Sequence, residues 1–216
     1  LLALMDRRRN GKGQLVQGSL LGTALTCTNA LLIEQALLGV NRKPSGNRGQ
    51  TAAPVDIFRT TDGWILCQVV GQPLYERWAR LMGEPEWLAD PRFRDDASRG
   101  DHGEAISARM ARWCESRSTA EVIEALGSAM IPCGPVLSPQ QALDHPQTAA
   151  LGILRPLDFP GLPGPAPVAA VPISMSGSNT VPRRPAPVLG ADTEAILREL
   201  GYSAAEIAGL RERGAI

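Results

Sequence analysis

The sequence predicts an α/β protein, and three observations predict it. Two short runs rich in β-branched and aromatic residues, Val55–Arg59 and Trp64–Val70, flank the turn signal Asp62-Gly63. Several later segments place apolar residues at helical spacing behind recognisable caps. At residue 41 the composition changes abruptly from apolar to Asn, Arg, Lys, Pro, Ser and Gly. Such a chain leaves one domain, builds a smaller one and returns. The expected division is 1–40 as the end of a large domain, 41–165 as a linker and small α/β domain, and 166–216 as a connection whose C-terminal helices return to the large domain.

Leu1 to Arg9 are strong helix formers with no Ser, Thr, Asp or Asn ahead of them to cap the first amides, so the chain is expected to start inside a helix of a larger enzyme. Asn10–Gly13 is a turn, and Gln14–Leu20 is extended enough to be a strand. A long helix is expected from about Leu21 to Leu38, closed by Gly39. Being apolar nearly all round, it should be buried against a sheet or another subunit. Asn41–Ala53 reads as a linker or mobile loop, and the hairpin follows. Pro73 suits the first turn of a helix in which Leu74, Trp78, Leu81 and Met82 share a face and Gly83 ends it. Glu104–Glu115 carries Ile106, Met110, Trp113 and Cys114 at helical spacing. Ser118-Thr119-Ala120-Glu121 is a capping box for a helix with Val122, Ile123 and Leu126 on its core face.

Ile131–Val136 is too rich in proline for a central strand and reads as a fixed extended turn. Ser138-Pro139-Gln140-Gln141 opens a helix with a cap, Pro in the first turn and Gln at the box position. Gly152–Pro187 alternates short apolar runs with prolines, which predicts edge strands in a long connection. Two helices close the chain. One, about Asp192–Leu200, is expected to bury Ile196, Leu197 and Leu200; the other opens at the box Ser203–Glu206 and should bury Ile207 and Leu210.

Composition narrows the function. Lys plus Arg and Asp plus Glu both number 22, which argues against a general nucleic-acid or acidic-membrane binder. No stretch approaches the ~20 consecutive apolar residues of a membrane span, and the opening lacks the order of a secretory signal, so the expected location is cytoplasmic. The four cysteines are widely spaced and only His102 and His145 could join them, so neither a metal site nor a disulfide framework is expected. Dinucleotide, phosphate-loop, nucleophile-elbow and zinc-protease motifs are all missing.

The most functional-looking loop is Gly46-Asn47-Arg48-Gly49-Gln50. Its glycines let backbone approach a ligand, and Asn, Arg and Gln offer donors to a carboxylate or thioester oxygen, although the same pattern suits a flexible interdomain turn. Arg7, Arg8, Arg9 and Lys12 suit the C-terminal end of a helix dipole. His102 reads as a surface residue, Asp62 and Asp90 as turn residues, and Cys133 as structural.

Taken in order, Gly11-Lys12-Gly13-Gln14 leading into Val16–Leu21, Asp62-Gly63-Trp64-Ile65, Asp90-Pro91-Arg92-Phe93, Ile131–Val136, Pro187–Gly190 and Thr193–Gly201 resemble the family III CoA-transferases, which include formyl-CoA transferase, the carnitine and bile-acid CoA-transferases and α-methylacyl-CoA racemase. The resemblance spans the whole chain. It implies the C-terminal part of a two-domain fold: the end of a Rossmann-like, CoA-binding large domain, a smaller α/β domain, and helices returning to the large one.

It further implies CoA transfer from an acyl-CoA donor to a carboxylate acceptor through an aspartyl anhydride, with a coenzyme A thioester as substrate and no tightly bound cofactor. The nucleophilic aspartate and most CoA contacts would lie upstream of Leu1, so this chain alone would hold no catalytic residue and be inactive. The implied partners are a second copy in an interlocked homodimer or a missing N-terminal half. In the transferases a glycine-rich loop covers the intermediates, which shifts Gly46–Gln50 toward a substrate-binding role. This loop has fewer glycines than that of formyl-CoA transferase, and Gln17 and Gly22 stand where family members often have Asp. A racemase-type proton exchange on the same scaffold and a non-catalytic interaction subunit are the alternative readings.

Overall fold

The computed structural model describes residues 1–216 and shows a mixed helix and sheet chain. It divides into two compact units, Leu1–Val136 and Leu137–Ile216.

The first unit opens with α1, Leu2–Asn10, which has no side-chain cap at Leu1 and is closed by left-handed Gly11. Residues 12–19 form no strand. The expected strand at Gln14–Leu20 is thus absent, because no strand of the chain lies beside it to complete a hydrogen-bond ladder; its neighbour is α1. The expected single long helix is two, α2 (Leu20–Cys27) and α3 (Asn29–Leu38), set at 66°. Threonine hydroxyls explain the break. Thr23, Thr26 and Thr28 each donate to the carbonyl four residues back, at 2.9–3.0 Å, a pattern that weakens and bends helices. Gly39 closes α3 in the left-handed region, as its position predicts. Burial within the chain does not follow: α1, α2 and α3 contain no buried residue, and Leu31, Leu32, Ile33, Leu37 and Leu38 are exposed.

The hairpin forms as β1 (Val55–Arg59) and β2 (Trp64–Gln68), paired antiparallel from Val55 with Gln68 to Arg59 with Trp64. Its Asp-Gly pair serves a different end from a tight turn. The Asp62 carboxylate accepts the Thr119 amide at 2.7 Å and the Thr119 hydroxyl at 2.8 Å, joining the hairpin to a helix that begins far along the chain. A third strand, β3 (Cys133–Pro135), pairs antiparallel with β2 and makes the sheet order β1-β2-β3. This corrects the reading of Ile131–Val136 as a turn only. Pro135 is tolerated because β3 is an edge and it faces Ile65 at a position that does not bond β2; Pro132, just before the strand, still accepts from Gln68, and Val136 donates to Trp64.

Helix α4, Gln72–Met82, has Pro73 in its first turn and left-handed Gly83 after it. Its buried face is Tyr75, Trp78, Ala79 and Met82; Leu74 and Leu81 lie at the margin of the core. Two short 3-10 turns, Pro85–Leu88 and Pro91–Phe93, lead to α5 (Asp96–Asp101) and α6 (Gly103–Cys114), whose Ile106, Met110 and Cys114 face the core. Then comes α7, Thr119–Ser128, with both halves of its Ser118–Glu121 capping box made and Val122 and Leu126 buried. Trp78 is the centre of this core: its ring stacks on Tyr75 at 5.7 Å and its N–H meets the Met110 sulfur at 3.3 Å.

The second unit contains α8 (Pro139–Asp144), opened by the Ser138–Gln141 box, and α9 (Pro146–Leu151). A two-stranded sheet of β4 (Leu154–Leu157) and β5 (Ala166–Ala169) follows, then α10 (Thr193–Glu199) and α11 (Ala204–Glu212), the last opened by the Ser203–Glu206 box. Only Ile207 is buried here. Ile196 and Leu200, expected in a core, are exposed, because the short elements of this unit do not close around them. No single helix of the chain is long and apolar enough to cross a membrane.

Candidate functional site

The segment between α3 and β1 is held far more firmly than its Pro, Gly and Ser content suggests. At its entry the Arg42 guanidinium bonds both carboxylate oxygens of Glu34 on α3 and donates to the Gln50 carbonyl at 2.7 Å. These bonds hold the Glu34 carboxyl below the usual range. Inside the loop, the Gln50 side-chain amide donates to the Lys43 carbonyl at 2.6 Å and to Ser45 Oγ at 2.9 Å, and Ser45 Oγ donates to the Arg48 carbonyl at 2.7 Å. At its exit the Gly49 amide donates to the Val55 carbonyl at 2.6 Å.

The five residues singled out in the sequence therefore divide into two groups. Gly49 and Gln50 build the loop. A Cβ on Gly49 would sit 2.8 Å from the Val55 Cβ, so only glycine passes there without displacement. Gly46 and Asn47 form the exposed tip, Gly46 in the left-handed region at φ 69°. Arg48 stands between them. Its stem lies on α6, within 3.4 Å of where a Cβ on Gly103 would be, and its guanidinium makes no hydrogen bond or ion pair in the chain. A tip with one free guanidinium and one free carboxamide can offer charge-assisted donors to a carboxylate or an enlarging oxyanion.

The loop rests on the start of the helical layer. The Gln50 carbonyl is packed so closely on Gly100 of α5 that a Cβ there would lie 2.3 Å from its oxygen. Below this contact, Arg99 is buried with its guanidinium over the Tyr75 ring at 4.5 Å, donating to Gln72 Oε1 (2.9 Å), the Phe93 carbonyl (2.8 Å) and Asp96 Oδ1 (2.6 Å). Asp96 in turn accepts the Gly71 amide on both oxygens, at 3.0 and 2.9 Å. Sequence reading missed Arg42 and Glu34, whose eight-residue spacing matches no local motif, and missed Asp96 and Arg99, whose three-residue spacing is local but whose burial and bonds to Gly71, Gln72 and Phe93 depend on distant residues.

The other candidates are structural. Asp90 caps the Pro91–Phe93 turn and pairs with Arg92, which holds its carboxyl low. Asp62 is held low by the Thr119 amide first and the Thr119 hydroxyl second. His102 lies exposed, its Nδ1 beside the Ser98 carbonyl. Cys133 faces Cys67 across the sheet, and burial raises both thiols, Cys67 to about 12, so neither is primed as a nucleophile. Arg7, Arg8 and Arg9 occupy the last turn of α1 and are exposed.

Comparison with known proteins decides the family. Residues 1–193 match the profile of CoA-transferase family III. The chain belongs to this family. Among curated relatives, this family III chain is 31% identical to an acyl-CoA transferase of Fusarium pseudograminearum, over 100% of its own length and 48% of the relative's. It is 29% identical to a formyl-CoA:oxalate CoA-transferase of Bradyrhizobium diazoefficiens, over 99% of its length and 55% of the relative's. The family III chain thus spans about half the length of the curated relatives it matches. Its fold is shared with Rv3272 of Mycobacterium tuberculosis (TM-score 0.68, 21% identity, 89% of this chain and 50% of that one) and with a CaiB/BaiF family protein of Brucella suis (TM-score 0.68, 22% identity, 91% and 50%).

Proposed function

We propose that this chain is the C-terminal half of a CoA-transferase that moves CoA from an acyl-CoA donor to a carboxylate acceptor, in the cytoplasm and as a homodimer or paired with its N-terminal half. The observation that carries the reading is the family match over residues 1–193, with curated relatives that include formyl-CoA:oxalate and succinyl-CoA–D-citramalate CoA-transferases. In this reading residues 1–40 end the large CoA-binding domain, 41–165 form the linker and small domain, and 166–216 return to the large domain.

The chemistry is covalent. An aspartate upstream of Leu1 attacks the thioester carbonyl and expels the CoA thiolate, leaving a mixed aspartyl anhydride. Splitting one difficult acyl transfer into anhydride and thioester stages lowers each barrier. The part assigned to this chain is to cover the intermediate: Gly46, Asn47, Arg48, Gly49 and Gln50 form the substrate-side loop, with the unpaired Arg48 guanidinium and the Asn47 carboxamide as donors to the acceptor carboxylate or the thioester oxygen.

The test joins the chain to its upstream half and assays formyl-, acetyl- and succinyl-CoA with oxalate and citramalate as acceptors. Transfer is expected only from the joined protein, and full transfer by Leu1–Ile216 alone would sink the proposal. Arg48→Met in the joined protein should lower kcat/KM about tenfold or more, the scale of one charge-assisted hydrogen bond. An unchanged kcat/KM would remove the loop from the substrate site.

A further inference from the structure

We propose that Arg42 is the positioning residue of the Ser45–Gln50 loop and that, through Glu34, it ties the geometry of that loop to the seating of α3. The catalytic consequence rests on the substrate-side reading of the loop given above; the latch itself does not. Arg42 spends its fork on two different parts of the fold. Nε and Nη2 bond the two oxygens of Glu34, the latter at 2.7 Å, and Nη1 bonds the Gln50 carbonyl at 2.7 Å. The Arg42 and Glu34 side chains are 17% and 23% exposed, so the pair is shielded enough to hold one geometry rather than exchange with water.

The Gln50 carbonyl is held by the Arg42 guanidinium and packed closely on Gly100 of α5. From Gln50 the constraint runs on through its own side chain to Ser45 Oγ, and from Ser45 Oγ to the Arg48 carbonyl. A shift of the Gln50 carbonyl therefore moves the residue that presents the free guanidinium. No other side-chain hydrogen bond or ion pair links residues 45–50 to α3. The apolar residues Leu31, Leu32 and Ile33 flank Glu34 on that helix and are exposed, so whatever covers them fixes where Glu34 stands and, through Arg42, where the loop stands. Lysine cannot replace this arginine, because an ammonium on a flexible stem cannot hold a carboxylate in bidentate fashion and a carbonyl at the same time.

The experiment uses the full protein, upstream half included, with Arg42→Lys, Arg42→Met and Glu34→Gln. Hydrogen–deuterium exchange is read at the amides of residues 45–50, with the Gly49 amide, bonded to Val55, as reporter. Melting temperature and kcat/KM with formyl-, acetyl- and succinyl-CoA are measured beside it. Arg42→Met should speed exchange across the loop about tenfold, the factor that follows from losing one hydrogen bond to a charged group. Arg42→Lys should keep the melting temperature while showing part of the same loosening and part of the loss in kcat/KM, a split that a purely structural role would not produce. Glu34→Gln should loosen the loop less than Arg42→Met. Exchange at residues 45–50 unchanged in Arg42→Met would overturn the latch. Faster exchange with unchanged kcat/KM would support the latch and overturn the substrate-side reading of the loop instead.

Discussion

Of two apolar parts of the first unit, the one richer in leucine is the one left exposed. Between Ala52 and Ile131, sixteen residues from Ala53 onward form one buried cluster in which Trp78, Ile106, Met110 and Val122 have no exposed surface. Helices α2 and α3 carry a higher density of Leu and Ile than that region and bury none of it. The difference teaches that apolar content states a need for burial, whereas periodicity states who meets it. In α4, α6 and α7 the apolar residues return at helical spacing; α6 and α7 close against the β1-β2-β3 sheet and α4 packs on α6 in the same cluster. In α2 and α3 they run round the whole helix and find no surface within this chain.

The largest expected effect tests that contrast directly. In Leu1–Ile216, Trp78→Ala should lower unfolding free energy by about 3–5 kcal/mol in urea denaturation, since it removes a fully enclosed ring. Leu31→Ala in the same chain should change it by less than about 0.5 kcal/mol, and by about 2 kcal/mol or more once the proposed upstream half is joined to it. A large loss from Leu31→Ala in the chain alone would erase the distinction between the two regions.

Next in size is Gly100→Ala. Its Cβ would lie 2.3 Å from the Gln50 carbonyl oxygen, so the loop or α5 must shift, at a cost of about 1–3 kcal/mol read as a fall in denaturation midpoint. Met130→Gly works in the other direction. Met130 follows α7 in the left-handed region at φ 54° and is 69% exposed, so replacing it relieves backbone strain without opening a cavity. A gain of about 0.5–1 kcal/mol is expected, the strain relieved less the extra freedom of an unfolded glycine.

The smallest effect is a slope. The folded state depresses the Asp62 carboxyl below its ordinary value of 3.8, so the stability it contributes is fully present above that value and is lost as pH falls through the folded one. Stability of the wild type should therefore drop more steeply as pH falls below 4 than that of Asp62→Asn. Parallel pH profiles would show that the link from hairpin to α7 carries no proton dependence.

Sequence exposed the features that depend on near neighbours. The Ser118–Glu121, Ser138–Gln141 and Ser203–Glu206 boxes each close within four residues, and all three form. Gly39 and Gly83 end helices for the same local reason. Features that need a distant partner stayed hidden. The Gln14–Leu20 strand lacks a pairing strand, the break at Thr28 arises from hydroxyls competing for helix carbonyls, and β3 forms because the missing amide of Pro135 faces away from β2. The loop residues 46–50 were legible as a candidate from composition. That Gln50 is an internal brace and Arg48 the unpaired donor depends on Arg42, Ser45 and Gly100, which no short motif connects.

The edge strand β3 carries a consequence for handling the protein. Pro135, whose nitrogen faces away from β2, leaves a gap in the row of amides that a second sheet would need for strand pairing, so this edge is a poor template for edge-to-edge growth. The uncovered leucines of α2 and α3 have no such guard. When the chain is produced by itself, clumping should therefore proceed through helical, detergent-soluble contacts rather than through cross-β fibrils, and light scattering without thioflavin fluorescence would be its signature.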